Sequence, residues 1–448
     1  MGFVQQASEL ADRTREDRNR YADFLRVLAL AAVVVGHWLV IDLQLVDALP
    51  TGVNVLAESS WTHWGTWVFQ VIPLFFLVGG YANSVSWRAH RERGEDWASW
   101  LRRRSLRLLW PTAIFVTAGL VLTPIAGAWV DVPEEILSQA GWAVAFILWF
   151  LAVYLAVAAI TPPGIHAHDC WGLWFVAAIL ALVITTDALR FLGGIDLFAY
   201  LNYAFVWVAF HQIGFAWHDG SLPNQKHLVT MTAVSGLALV ALVVWGPYPV
   251  SMVGVPGAGV QNTGPPTLAL LLFGFTQIGV VLIFRSIVGA WLRRPRVWAA
   301  VVGGNLVVMS VFLWHVVPVV ALAVSLSAIG ITLPGEPGSL TWLTSRPLWI
   351  AMLVVLLIPL VLVVGRAERP PDALEDMARH RGRSRLSLAL GLVGIAVTTA
   401  GLARLTLEGF WAGEPTLIPV WGALAFFAGA TVAIGSGRLA AEPNRGVG

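Results

Sequence analysis

Apolar runs of about twenty residues recur along the whole chain, and no other feature limits its fold so severely. A bilayer core of about 30 Å is crossed by about 20 residues of α-helix, and inside it every backbone amide must be paired within the protein. Such runs lie near 22–43, 65–86, 108–129, 140–160, 173–189, 198–217, 228–246, 267–286, 298–328, 347–365, 386–405 and 417–437. The ninth is long for one crossing; Gly303–Gly304 near its start and Pro318 inside it predict a bend or tilt. Charged residues make up 12% of the chain against about a quarter in a soluble domain, so lipid must solvate most of the surface. The expected fold is an all-α polytopic membrane protein of about twelve transmembrane helices, a ten-helix core followed by a two-helix hairpin.

Basic residues fix the expected orientation, because they collect on the cytoplasmic side. With the N-terminus inside, the inner segments hold four arginines in the N-tail, seven in 88–107, Lys226, four in 285–297, six in 366–385 and two in the C-tail. The outer ends keep Arg190, Arg346 and Arg404, while Arg26 lies within the first run. Adding or dropping one crossing would scramble this asymmetry, so both termini are expected in the cytoplasm of a multi-pass plasma-membrane protein. The first twenty residues lack a signal peptide's apolar core and cleavage site, so the first run is expected to remain as a span. The chain divides into a tail (1–21), a membrane domain (22–366), a charged linker containing Pro370–Pro371 (367–385), an additional hairpin (386–437) and a C-terminal tail (438–448). The one cysteine, Cys170, cannot form an intrachain disulfide.

Ionisable side chains inside a membrane helix cost roughly 2.5–3.5 kcal/mol on insertion scales, and each one invites a functional reading. In the first run, RYADFLRVLALAAVVVGHWLV, Arg26 and His37 are eleven residues apart, which is three turns on one face and about 16 Å along the axis. Asp23 lies one turn before Arg26, where it can pair with the guanidinium. The alternatives are an Arg26 that snorkels to the inner interface and a His37 that hydrogen-bonds between helices; spacing alone does not separate them. The ninth run, NLVVMSVFLWHVVP, places His315 about 25 Å from its cytoplasmic start, at a depth comparable with His37. His211 should lie nearer the inner surface, and His63 precedes the second run on the outer side.

At these residues the chain resembles the acyltransferase-3 family of membrane acyltransferases, which includes O-antigen and peptidoglycan O-acetylases, in a form typical of high-GC Gram-positive members. The Arg-x10-His pattern of that family is met by Arg26 through His37. VIPLFFLVGGYANS resembles its second-span stretch, with Gly79–Gly80 where Ser-Gly is usual. WLRRRSLRLLWP resembles the basic entry to the third span at Arg103, Arg104, Arg107 and Pro111. WFLAVYL resembles the fourth-span motif, and MSVFLWH a late motif in which Ser310 and His315 match but Val311 and Trp314 replace tyrosines. QNTGPPTLALL and LNYAFVWVAFHQIGFAWHDG also resemble segments of such members. The likeness covers about 20–365 and leaves out the last two runs.

The resemblance implies transfer of an acyl group, acetyl as the expected case, from cytoplasmic acyl-CoA to a hydroxyl of a cell-envelope glycan, glycolipid or related acceptor. Acyl-CoA is then a co-substrate, with no tightly bound cofactor and no metal. Arg103, Arg104 and Arg107 are expected to hold the CoA head, with Arg26, Asp23 and Ser310 further along the donor path; positive-inside bias or anionic-lipid contact would equally place arginines there. His37 is the expected general base, an imidazole with an ordinary pKa of about 6.5 being suited to that task. His315 is expected to assist, to orient the acceptor or to stabilise charge.

Other signals are weaker. HAHDC (His166, His168, Asp169, Cys170) offers metal-ligand types without a second cluster and reads as a solvated turn. The 23 tryptophans, many at run ends, suit interfacial belts, a minority being able to stack on a sugar. The outer stretch GPYPVSMVGVPGAGVQNTGPP is irregular, either flanking an acceptor entrance or serving as a plain connector. No Walker, Gly-x-Ser-x-Gly, zinc-protease or nucleic-acid motif is present. The alternative from another class is a secondary transporter of major-facilitator-like topology, against which stand the absence of a repeat between the halves and of paired broken helices. An inactive acyltransferase-like flippase or sensor is a third reading.

Overall fold

The computed structural model describes residues 2–15, 18–46, 49–129, 133–329, 334–379 and 385–440, excluding the side chains at 45, 46, 49–51, 327 and 328. Arg381, Arg383 and most of the expected C-terminal tail, with Arg445, lie outside the described residues.

A short helix, α1 (Phe3–Asp12), precedes α2 (Arg20–Val40), whose N-terminus is capped by Asn19 accepting from the Tyr21 and Ala22 amides. The chain then turns back through an antiparallel hairpin, β1 (Ile41–Val46) and β2 (Leu49–Asn54), pairing Ile41 with Asn54. Two small helices, α3 (Val55–Glu58) and α4 (Thr66–Phe69), lead into α5 (Ile72–Glu92) and α6 (Trp97–Trp129). Next come α7 (Glu134–Ala145), α8 (Leu148–Ala159), α9 (Thr161–Trp171), α10 (Trp174–Phe191), α11 (Asn202–Asp219) and α12 (Gln225–Trp245). The second half holds α13 (Leu268–Ile283), α14 (Arg285–Trp291), α15 (Pro295–Trp314), α16 (Val317–Ala328), α17 (Leu340–Ala367), α18 (Asp372–Arg379), α19 (Arg385–Glu408) and α20 (Val420–Leu439).

Each apolar run carries helix. Among the described residues ten stretches are long and apolar enough to cross a membrane, eleven when α13 and α14, bent by 51°, count as one. The remaining run is α11, which falls short of that apolarity because it contains Asn202, His211, Gln212, His218 and Asp219. Asn202, His211 and Gln212 are buried, so protein rather than lipid surrounds this helix on its polar face. The contact is closest with α5: a Cβ at Gly80 would run into the His211 carbonyl, and one at Gly214 into the Leu77 carbonyl.

Some sequence expectations change. Residues 88–107, an inner segment between two apolar runs and expected as a basic loop, are mostly helix: α5 runs to Glu92 and α6 starts at Trp97. Asp96 accepts from the Ser99 amide at 2.9 Å and so starts α6 at its cap, leaving Arg102, Arg103, Arg104 and Arg107 on a rod. In the ninth run the break falls at His315–Val316, just before Pro318, whereas Gly303–Gly304 stays helical. Pro318 has no N–H to return to the Trp314 carbonyl, which ends α15 and restarts the chain as α16.

The last hairpin is packed into the bundle. α19 and α20 approach through Gly394, Gly401 and Gly429, and they lie against α6 and α8. Phe410, between them, is fully buried edge-to-face on Phe115 of α6, and its amide donates to the Gly141 carbonyl at 3.3 Å.

Candidate active site

The helix end at His315 and the last turn of α2 meet inside the bundle. His37 Nδ1 lies 2.8 Å from His315 Nε2, the rings meeting edge to edge with 5.1 Å between centroids and 18° between planes. His315 is fully buried, and its Nδ1 faces the carbonyl oxygens of Phe312 at 2.8 Å and Val311 at 3.2 Å. Those carbonyls belong to the last turn of α15, where a helix runs out of amide donors; that of Val311 also accepts the His315 amide at 3.1 Å. Adjacent to the pair, Trp38 donates to the His315 carbonyl at 2.7 Å, and Trp349 of α17 donates to the Trp38 carbonyl at 2.7 Å. One turn before Trp349, Arg346 pairs with Asp42 at 3.1 Å, both almost wholly buried, and its guanidinium lies over the Trp342 and Trp349 rings.

Along α2 from His37, Arg26 bonds to Asp23 at 3.4 Å and to Asn305 of α15 at 3.1 Å. Asp23 also accepts from Arg18 at 2.6 Å, and Asn305 donates to the Asp23 carbonyl. The pairing of Asp23 with Arg26 is the one expected from spacing. Arg104 donates to the Tyr154 hydroxyl at 2.7 Å and lies within Coulomb range of Arg26 and His211. Tyr154 reaches this position because Gly79 has no Cβ to collide with its ring. The departure from the usual Ser-Gly is at Gly79, which admits Tyr154, while Gly80, in the position where glycine is usual, admits α11.

The basic residues of α6 point different ways. Arg104 faces the interior with Arg26. Arg103 pairs with Glu95 and contacts the His90 ring at 2.8 Å. Arg107 is exposed. Arg102, fully buried, bonds to Ser387 of α19 at 2.8 Å and to the Ala378 carbonyl of α18, tying the linker and hairpin to α6. Ser310 gives its hydroxyl to Glu368, whose other oxygen accepts from Trp314 Nε1 at 2.9 Å. Sequence reasoning thus placed His37 and His315 at comparable depth and Arg26 beside Asp23; the contact between the two rings comes from the structure, and Asn305, Tyr154, Glu368 and the Asp42–Arg346 pair were missed. A lone asparagine inside an apolar run was the available signal for Asn305; Glu368 is camouflaged by the charged stretch around it.

The HAHDC residues, read from sequence as a solvated turn, lie instead on α9 with His168 buried, and they disperse into separate contacts: His168 with Asp219 at 2.8 Å, Asp169 with Arg88 at 2.8 Å, and His166 near Cys170. Among the described residues no group of three or more His, Cys, Asp or Glu is arranged to hold a metal. The Gly- and Pro-rich stretch walls an open cavity of about 370 Å³ whose lining also includes Arg190, Asp196 and Tyr200.

Helices in this number, with two imidazoles in contact between α2 and α15, Arg26 further along α2 and Arg104 on α6, define a multi-pass membrane protein with an interior polar site. The model of the acyltransferase-3 family, described as an acyltransferase domain, matches residues 19–366. The chain belongs to that family and is a membrane acyltransferase, which sets aside the transporter alternative. No curated protein and no solved structure matches it.

Proposed function

We propose that the protein transfers an acyl group, acetyl as the expected case, from cytoplasmic acyl-CoA to a hydroxyl of a cell-envelope glycan, glycolipid or related acceptor. It does so in the plasma membrane with both termini in the cytoplasm. The contact between His37 and His315 carries the reading, because it joins half-buried His37, on the helix that also bears Arg26, to fully buried His315 at the end of α15. Arg26 and Arg104 lie on the side from which a CoA thioester would enter, and guanidinium groups suit its phosphates and carbonyls. Arg107 is free to meet the CoA head at the surface, and Arg103 would reach it by exchanging Glu95. His37 takes the acceptor hydroxyl's proton as that oxygen attacks the thioester carbon.

Purified protein in vesicles, given labelled acetyl-CoA and envelope extract, should move label into the glycan or lipid fraction. His37→Ala should insert normally and transfer about 10²–10⁴-fold more slowly. Transfer from no acyl-CoA by the wild type would overturn the assignment, and full transfer by the inserted His37→Ala protein would remove His37 as base.

A further inference from the structure

Two neutral imidazoles 2.8 Å apart share one hydrogen, and the surroundings decide which ring owns it. The carbonyl oxygens of Phe312 and Val311 can only accept, so His315 Nδ1 carries a proton and donates it to them. Neutral His315 then presents a bare Nε2. His37 Nδ1 must supply the hydrogen between the rings, which leaves His37 Nε2 with its lone pair.

We infer that His315 is a positioning residue: the Phe312 and Val311 carbonyls fix its tautomer, it fixes that of His37, and His37 Nε2 is thereby the atom that accepts the proton. This rests on the acyl-transfer reading and goes beyond it, separating the two histidines into one base and one orienter, as an acidic partner orients the base of a hydrolase triad. During transfer the acceptor oxygen bonds to the acyl carbon, the carbon–sulfur bond breaks, and the acceptor's proton moves to His37 Nε2. The departing thiolate takes that proton, so free CoA thiol and the ester leave and the dyad returns to its starting state. While His37 is cationic, the charge is shared through Nδ1–H to His315, whose own Nδ1–H rests on the negative end of α15.

Glutamine at 315 offers an oxygen to His37 Nδ1–H and an NH₂ to the carbonyls, while leucine offers neither. His315→Gln should keep at least about a tenth of wild-type kcat, and His315→Leu should lose about 10³–10⁴-fold in kcat with KM for acyl-CoA little changed, the scale of a wrong tautomer in a triad. Equal large losses in both variants would make His315 itself a base, and near-wild-type rates in both would make it packing; either overturns the inference. Nitrogen-15 NMR of labelled histidine in the reconstituted wild type, assigned by loss of the signal in His37→Ala, should find His37 protonated on Nδ1 and bare on Nε2. The reverse pattern overturns the inference whether or not acyl transfer is seen. Absent transfer with the expected tautomer overturns only the proposed function.

Discussion

Asp42 and Arg346 sit together almost wholly out of contact with solvent, and removing one partner strands the other as an uncompensated charge. Breaking such a pair costs about 3–5 kcal/mol, whereas replacing both by apolar groups is often neutral. Asp42→Asn should therefore lower the thermal unfolding midpoint in detergent clearly, and Asp42→Leu with Arg346→Met should recover most of the loss. A smaller effect belongs to Glu368. Its carboxylate serves Ser310 and Trp314 together, and Glu368→Gln leaves one acceptor oxygen for two donors, a cost of about 1–3 kcal/mol. Because Trp314 directly precedes His315, acyl transfer should fall with stability in Glu368→Gln. Ser310→Ala, which spares the indole contact, should do less on both measurements. At this scale the sequence was readable where a polar residue stood alone in an apolar run, as His37, His315 and Arg26 do. Where charge was plentiful, single residues such as Glu368 carried no mark of their burial.

Between elements, the crossing of α5 and α11 is held by glycine at positions where backbone meets backbone. Gly80→Ala would press a methyl group onto the His211 carbonyl, so the helices must part and the contact of Asn83 with His211 at 3.0 Å must lengthen. Overpacking of this sort costs about 1–3 kcal/mol, and a lower unfolding midpoint than for alanine at Gly289, where a Cβ would meet open space, should measure it. The long rod of α6 illustrates the opposite limit of sequence reading. Arginines between two apolar runs look like a loop because apolarity stops, yet helix does not stop where apolarity does: Asp96 starts the helix and the arginines continue it. Likewise Pro318 announced the break in the ninth run, because a missing amide is a local fact. The twin glycines at 303–304 did not bend the chain; their lack of side chain serves a neighbour, with Gly304 set against Val27.

For the molecule as a whole, the alternation of apolar runs with clustered arginines made the fold class and nearly every crossing legible. The orientation those arginines imply has a direct test. Cys170 is the chain's one cysteine and is exposed beyond α8, on the end expected to face the cytoplasm. A membrane-impermeant maleimide should leave it unlabelled in intact cells and label it after permeabilisation; labelling of intact cells would invert the topology. The place of the last hairpin was not legible, because close packing of glycine, alanine and phenylalanine has no pattern distinct from ordinary apolar sequence. A chain ended after residue 366 should lose the buried anchors at Phe410, Glu368 and Ser387, and should accumulate poorly or melt well below the full-length protein. Phe410 closes a flank that the recognisable family region leaves open. A relative that stops after its tenth crossing must therefore plug that notch with a bulky ring from elsewhere, a lipid tail or a neighbouring polypeptide.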